Sequence, residues 1–322
     1  MPTIDDVIKV SGVSRSTVNR FLAGKKIRHD NELKIKSAMK EIGYRTEKLL
    51  SKRDCTIEIL GSTGGIKPSD FQGFSEMLMG MVEKLEEGGA TVQIQSGNAP
   101  YIPMADGVIM YGLHREREDE IASILKKKEI PFVYAYREID MPGVSYVSAD
   151  NYTAAFEMTQ AFIDKGHRKI AVCGGKMGDK RNMPEKLQGF RDCMAANGIE
   201  VDEELICEEN SGSLAREWMH DLFRSGKEFT AFFGLRDQLA VIFSELAVEY
   251  GKNIPKDIVT AGMDGTVEAV YARPKLTSVS IPYREMGIEA ANTIFELIDN
   301  RNTVSVRKIL KHKIISRESF AI

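Results

Sequence analysis

Residue 56 separates two unlike patterns in this 322-residue sequence. Before it, the apolar residues recur at helical spacing. After it, short strand-like apolar runs alternate with amphipathic stretches of helical period. Strands are expected over 56–60, 91–95, 107–110, 131–136, 169–173, 229–234 and 258–262, and helices over 74–87, 116–128, 152–164, 185–197, 214–224 and 238–250. Such alternation builds parallel sheets with helices on both faces. Its length predicts two such units, with a ligand crevice at the carboxyl ends of the strands. There is no repeat of solenoid period and no low-complexity tract.

The first 53 residues hold 13 basic and 6 acidic side chains, a net of +7. The rest holds 31 basic and 41 acidic, a net of −10, which the overall charge of −3 conceals. A basic module on an acidic body predicts a polyanion held at one end. Within that module Thr3-Ile4-Asp5-Asp6 reads as a capped helix start, with Ile4, Val7 and Ile8 as an apolar stripe. Ser11-Gly12-Val13 is the turn. Ser14 is placed to cap a second helix by accepting a hydrogen bond from a first-turn N–H, and Gly24 is placed to stop it. Val18 and Leu22 fall on one face of that helix; Arg15, Ser16, Asn19 and Arg20 fall on another. A third helix fits 31–42, with Ile35, Ala38, Met39 and Ile42 inward and Gly43-Tyr44 closing it. Ile4, Val7, Val13, Val18, Leu22, Ile35 and Ile42 are the expected shared core.

Two short helices around a Gly-containing turn form a helix-turn-helix, whose second helix enters the major groove with its early residues at base edges. Short capped amphipathic helix pairs are also common in proteins that bind no DNA. The donor-rich face of two Arg, a Ser and an Asn favours DNA, because its groups match guanine, adenine and phosphate acceptors. Lys25, Lys26 and Arg28 are positioned for phosphates. Residues 45–54 read as a charge-rich linker.

Cys55, Cys173, Cys193 and Cys207 form no CxxC pair, so free thiols in a reducing compartment are expected and a zinc site is not. No apolar run reaches the roughly 18–20 residues needed to span a bilayer, and the N-terminus has no signal-peptide pattern. A cytoplasmic protein with no membrane partner is therefore expected. Gly61-Ser62-Thr63-Gly64-Gly65 and Gly174-Gly175-Lys176 follow strands but match neither common phosphate-cradling pattern. There is no G-x-S-x-G, and His29, His114, His167, His220 and His312 are scattered. No catalytic residue, metal ligand or cofactor is expected.

The chain resembles the lactose-repressor (LacI/GalR) family of bacterial transcription regulators. The strongest piece is Val13-Ser14-x-x-Thr17-Val18-x-Arg20-x-Leu22-x-Gly24, with Gly43-Tyr44. Further marks are Pro131-Phe132-Val133 with Arg137, Asp150-Asn151, Gly166-His167-Arg168-Lys169-Ile170-Ala171, Leu187-x-Gly189-Phe190, Asp237-x-x-Ala240, Gly262-x-Asp264, Pro274-x-Leu276-Thr277-Ser278-Val279, Gly287 with Ala290-Ala291, and Arg317-Glu318-Ser319. In this order and spacing they are specific.

The resemblance implies an α/β protein. It would have an N-terminal three-helix helix-turn-helix headpiece and a periplasmic-binding-protein-like core of two doubly wound parallel-sheet subdomains joined by three crossovers. The headpiece would be 1–44, the hinge 45–55 and the core 56–322. Subdomain 1 would cover about 56–149 and 283–307, and subdomain 2 about 150–282 and 308–322. A homodimer on double-stranded operator DNA is implied, a repressor by expectation, switched by a small-molecule effector between the subdomains. Carried over, Arg15 and Ser16 read operator sequence, Arg20 contacts a base or nearby phosphate, and Thr17 contacts phosphate. Asn19 stands where the family usually has Ser. Ser14, Lys25, Lys26 and Tyr44 complete the DNA-binding set with Leu50. The family's hinge Pro-Asn is replaced by Thr46-Glu47, and its minor-groove Leu falls on Arg53. Leu49 or Leu50 then serves as the apolar wedge, or the contact is electrostatic. Between Gln95 and Asp106 there is room for a loop but not for the family's usual helix.

For the effector, Asp150, Lys186, Arg236 and Asp264 match the family's pocket positions. Lys186 replaces a usual Arg and Arg236 a usual Asn, and Phe74 supplies an apolar wall. Two cations facing two carboxylates suit a sugar phosphate or sugar acid. A plain sugar, or a closed ion-pair cluster with no ligand, fits the same residues. The alternative to a regulator is a cytoplasmic carbohydrate-active enzyme or sugar-binding protein whose headpiece does not read DNA.

Overall fold

The structure, a computed structural model, describes residues 2–22, 27–42, 44, 55–61, 71–97, 101–113, 115–139, 141–175, 183–209, 212–300 and 304–322. The headpiece holds α1 (Ile4–Ser11), α2 (Arg15–Leu22) and α3 (His29–Ile42). The Thr3 hydroxyl accepts from the Asp6 N–H, and the Asp6 carboxylate accepts from the Thr3 N–H at 2.7 Å, so the expected capping box forms. Gly12 ends α1 at φ 66°, a left-handed conformation that costs glycine little. The third helix starts at His29, two residues earlier than its apolar period predicts, because the Arg28 carbonyl accepts from Asn31 and Glu32. The Tyr44 N–H wraps back to the Met39 carbonyl at 2.9 Å and closes it.

Val7, Val18 and Ile35 are fully buried, with Val13 and Met39, and Ile4, Leu22 and Ile42 pack against them. Complete burial stabilises by roughly 1.5–3 kcal/mol per side chain of this size.

Among the described residues the core is built on two six-stranded sheets. The first has the order β11-β5-β4-β3-β1-β2, from β1 (Thr56–Gly61), β2 (Thr91–Ser96), β3 (Gly107–Tyr111), β4 (Phe132–Ala135), β5 (Ser145–Ala149) and β11 (Arg307–Leu310). The second has the order β12-β10-β9-β8-β6-β7, from β6 (Ile170–Cys173), β7 (Ile206–Cys207), β8 (Ala231–Gly234), β9 (Val259–Asp264), β10 (Thr277–Ser280) and β12 (Lys313–Ile315). β12 runs antiparallel to β10, whereas β6, β8, β9 and β10 pair in parallel. Both orders reverse beside their first strand, between β1 and β3 and between β6 and β8. That reversal opens the crevice where such sheets take ligands.

The covering helices are α4 (Phe71–Glu87), α5 (Arg115–Lys127), α6 (Asn151–Asp164), α7 (Met183–Ala196), α8 (Gly212–Arg224), α9 (Asp237–Glu249), α10 (Val267–Tyr271) and α11 (Tyr283–Asp299). α4 begins three residues before its expected start. The chain passes between sheets after β5, after β10 and after β11. Among the described residues between Ser96 and Gly107 there is no helix, as the spacing predicts.

β5 and β10 escape the apolar pattern because each carries buried hydroxyls. Ser145 Oγ accepts from the Val306 N–H at 3.0 Å, and Thr277 Oγ1 donates to the Phe320 carbonyl at 2.6 Å. These bonds remove most of the penalty of burying a hydroxyl. Cys173 and Cys207, remote in sequence, are register partners on β6 and β7.

Candidate DNA-reading face and effector cleft

α2 divides as its sequence requires. Val18 is buried, while Arg15, Ser16, Asn19 and Arg20 are exposed and Thr17 is half-buried. The Ser14 carbonyl accepts from the Val18 N–H at 3.0 Å, so Ser14 stands at the cap position. Its hydroxyl lies 2.9 Å from Thr17 Oγ1 and 3.2 Å from Ser16 Oγ, hydroxyl partners where a first-turn amide was expected. Arg15 forms an ion pair with Asp5 of α1. Tyr44 is half-buried against the headpiece core. Gly24, Lys25, Lys26, Gly43 and residues 45–54 of the hinge, Leu50 among them, lie outside the described residues.

In the core, Asp264 ends β9 at φ 109°, a conformation side chains rarely adopt and one that clusters at functional sites. Lys186 of α7, 1% exposed, donates to Asp264 Oδ1 at 2.9 Å and to the Leu235 carbonyl at 3.1 Å. The Tyr283 hydroxyl, at the start of α11, donates to the same Oδ1 at 3.1 Å. Tyr136, following β4 at φ 78°, brings its hydroxyl within 3.4 Å of that of Tyr283. This polar chain crosses from the second sheet to the first. Gln72 of α4 makes a second crossing, its Oε1 accepting from the Val267 N–H at 2.6 Å.

The other expected pocket residues lie at the starts of helices. Arg236, 4% exposed, follows Leu235 and occupies the cap position of α9. Asp150 caps α6 through the Thr153 N–H at 2.8 Å. Phe74 stacks on Tyr111, rings 4.5 Å apart, at the carboxyl ends of β1 and β3. The Glu138 carboxyl sits above the usual range, chiefly through desolvation, then through Asp150 and Glu185.

Sequence reasoning missed Asp237 as a chemical group. It is fully buried, and desolvation first, then the Asp264 charge, raises its carboxyl to about 7. It accepts from Ser278 Oγ at 2.5 Å and from the Thr266 N–H at 2.6 Å. A Cβ on Gly262 would collide with its Oδ1. The motifs Asp237-x-x-Ala240 and Gly262-x-Asp264 were therefore visible, but their contact was not. Tyr136, Tyr283 and Gln72 carried no signal beyond their residue types.

A helix-turn-helix unit in the same chain as two mainly parallel sheets bridged by polar side chains defines a two-part regulatory protein. The periplasmic binding protein-like domain matches residues 159–320, and the model of bacterial regulatory proteins, lacI family, matches residues 3–47. The chain is 29% identical over 339 aligned residues to the HTH-type transcriptional regulator CelR of Thermobifida fusca, covering 99% of this chain and 98% of that one. It is 27% identical over 335 residues to the HTH-type transcriptional regulator AscG of Escherichia coli (strain K12), covering 99% and 98%.

The structure of a transcriptional regulator CelR–cellobiose complex superposes with a TM-score of 0.73 at 28% identity, covering 99% of this chain and 100% of that one. A lac repressor dimer bound to operator and the anti-inducer ONPF superposes with a TM-score of 0.72 at 18% identity, covering 100% and 99%, and shares the fold. The chain belongs to the periplasmic binding protein-like domain family and carries a lacI-family helix-turn-helix domain at residues 3–47. Among the described residues, no helix is long and apolar enough to cross a membrane.

Proposed function

We propose that this protein is a cytoplasmic, sequence-specific transcriptional repressor. It binds double-stranded operator DNA as a homodimer and is switched by an uncharged saccharide held in the core cleft. The observation that carries the reading is the exposed face of α2, where Arg15, Ser16, Asn19 and Arg20 stand together on a net-positive module. Early residues of such a helix meet base edges, and arginine and asparagine pair with guanine and adenine. In this reading Lys25 and Lys26 meet phosphates, and Leu50 and Tyr44 belong to the same interface.

An uncharged effector suits the cleft better than an acidic one. Lys186 is already paired with Asp264, and the carboxyl groups of Glu138, Asp150 and Glu185 outnumber the Arg236 guanidinium. Carboxylates and tyrosine hydroxyls are natural partners for sugar hydroxyls. The relative's complex with cellobiose makes a β-linked glucose disaccharide the first compound to test. Phe74, Asp150, Arg236 and Asp264 are the residues assigned to it, with Tyr136 and Tyr283 added and Lys186 holding Asp264 in place.

The division of the core into two subdomains is supported by strand membership, since β1–β5 and β11 share one sheet and β6–β10 and β12 the other, and a headpiece at 1–44 is supported by its own buried cluster, with the hinge at 45–55 between them. Subunit pairing is supported by the exposed apolar Ile94, Ile102 and Met104 on and after β2. Regulation without turnover is supported by relatives named as transcriptional regulators. Genome-wide mapping of bound fragments, repeated with cellobiose and with glucose 6-phosphate, tests the reading. Discrete sites released by the disaccharide support it; uniform binding, or release by the phosphate alone, contradicts it.

A further inference from the structure

We infer that Asp5 is a positioning and specificity-determining residue: its carboxylate holds the Arg15 guanidinium for a guanine in the operator half-site. The inference rests on the assignment of Arg15 to base reading.

Arg15 is the first residue of α2, the end of the helix that meets base edges. Its Nη2 is paired with Asp5 Oδ1, ten positions earlier and on the neighbouring helix. Asp5 has no share in the capping box, which Thr3 and Asp6 complete by themselves. Arg15 and Asp5 remain 60% and 70% exposed, and surface pairs of this kind contribute little to stability. The pair therefore has its main consequence on the binding face.

A guanidinium offers five donors in a planar fork. With one edge held by a carboxylate, the remaining donors can face the O6 and N7 acceptors of guanine without first ordering a long side chain. The carboxylate also acts against wrong sequences. It repels acceptor groups and phosphates, so an unpaired or misdirected Arg15 gains less from non-specific DNA. A second effect acts on folding alone. Arg15 sits at the positive end of the α2 dipole, which Asp5 offsets. That effect moves thermal stability and leaves base preference untouched, so the two are separable.

The test uses the full-length protein and a half-site selected from a random duplex pool, with all four base pairs then scanned at each position. The wild type is expected to prefer a G·C pair at one position by about tenfold or more. Arg15→Ala abolishes that preference. Asp5→Asn lowers the same preference about tenfold, raises binding to unrelated duplexes and lowers Tm only by the small amount that losing the dipole contact allows, while Asp5→Glu retains part of the preference. An Asp5→Asn protein with wild-type preference at that position overturns the inference. So does one that weakens on all duplexes alike with a lowered Tm. If Arg15→Ala itself leaves every preference intact, the assignment of Arg15 falls, and the role of Asp5 falls with it.

Discussion

Lys186 and Asp264 form an ion pair with 1% and 13% side-chain exposure, Nζ to Oδ1 2.9 Å, at the carboxyl end of β9. Tyr283 shares the same carboxylate oxygen, so one residue at the end of β9 ties α7 to the start of α11. Removing one member of such a pair leaves a charge in a site that water reaches poorly. Lys186→Met should therefore cost roughly 3–5 kcal/mol of stability. Urea unfolding checks this; a loss below about 1 kcal/mol would mean that Asp264 is hydrated as well without the lysine as with it.

Asp237 gives the protein a titration in the neutral range. Its folded value of about 7 lies above the ordinary 3.8, so between those values the folded state holds a proton that the unfolded state has lost. Stability from this group therefore falls as pH rises from about 4 to about 7, and is flat beyond. Asp237→Asn should flatten that slope. It should also cost about 1–3 kcal/mol, because one amide face cannot accept from Ser278 or Thr266. Chemical denaturation across pH 4–8 reads both.

Gly262 faces the Asp237 carboxylate and the Leu276 side chain, whose Cδ2 would lie 3.0 Å from an added Cβ. Gly262→Ala should destabilise by about 1–3 kcal/mol through overpacking. It should also shift the Asp237 titration, since the carboxylate must move. A variant with wild-type stability and an unchanged pH profile would show that β9 yields without cost.

On the headpiece, Arg20→Ala should weaken specific binding by roughly 1–3 kcal/mol and blur one base position. Lys25→Ala should weaken all sequences alike and reduce the slope of log K against log salt by about 1. Binding titrations at several salt concentrations separate the two; a base-selective loss from Lys25→Ala would reassign it.

The headpiece was legible because a few local spacings decide it. Val7, Val18 and Ile35 lie where three- and four-residue periods put them, and Thr3 with Asp6 forms the box its letters spell. The sheets were legible where apolar runs are continuous, as at Ile57 to Leu60 and Val108 to Met110. They were not at Ser145–Ala149 or Thr277–Ser280, where buried hydroxyls are satisfied by residues more than 40 positions away. The cleft was half legible. Lys186 and Asp264 could be named singly, but their pairing, the added donor from Tyr283 and the burial of Asp237 exist only once β9, α7, α9 and α11 are assembled. The Asp5–Arg15 pair escaped for a similar reason, because ten residues and a left-handed Gly12 separate its members.

The most direct measurement is titration of the purified full-length protein with its selected half-site repeat and with a scrambled duplex, across a salt series, with and without cellobiose. Operator binding gated by the sugar requires at least about a thousandfold preference for the selected sequence near physiological salt. It also requires a log–log salt slope of several units and loss of the preference when the disaccharide is present. Equal affinity for both duplexes at every salt concentration, whatever sugar is added, would contradict it.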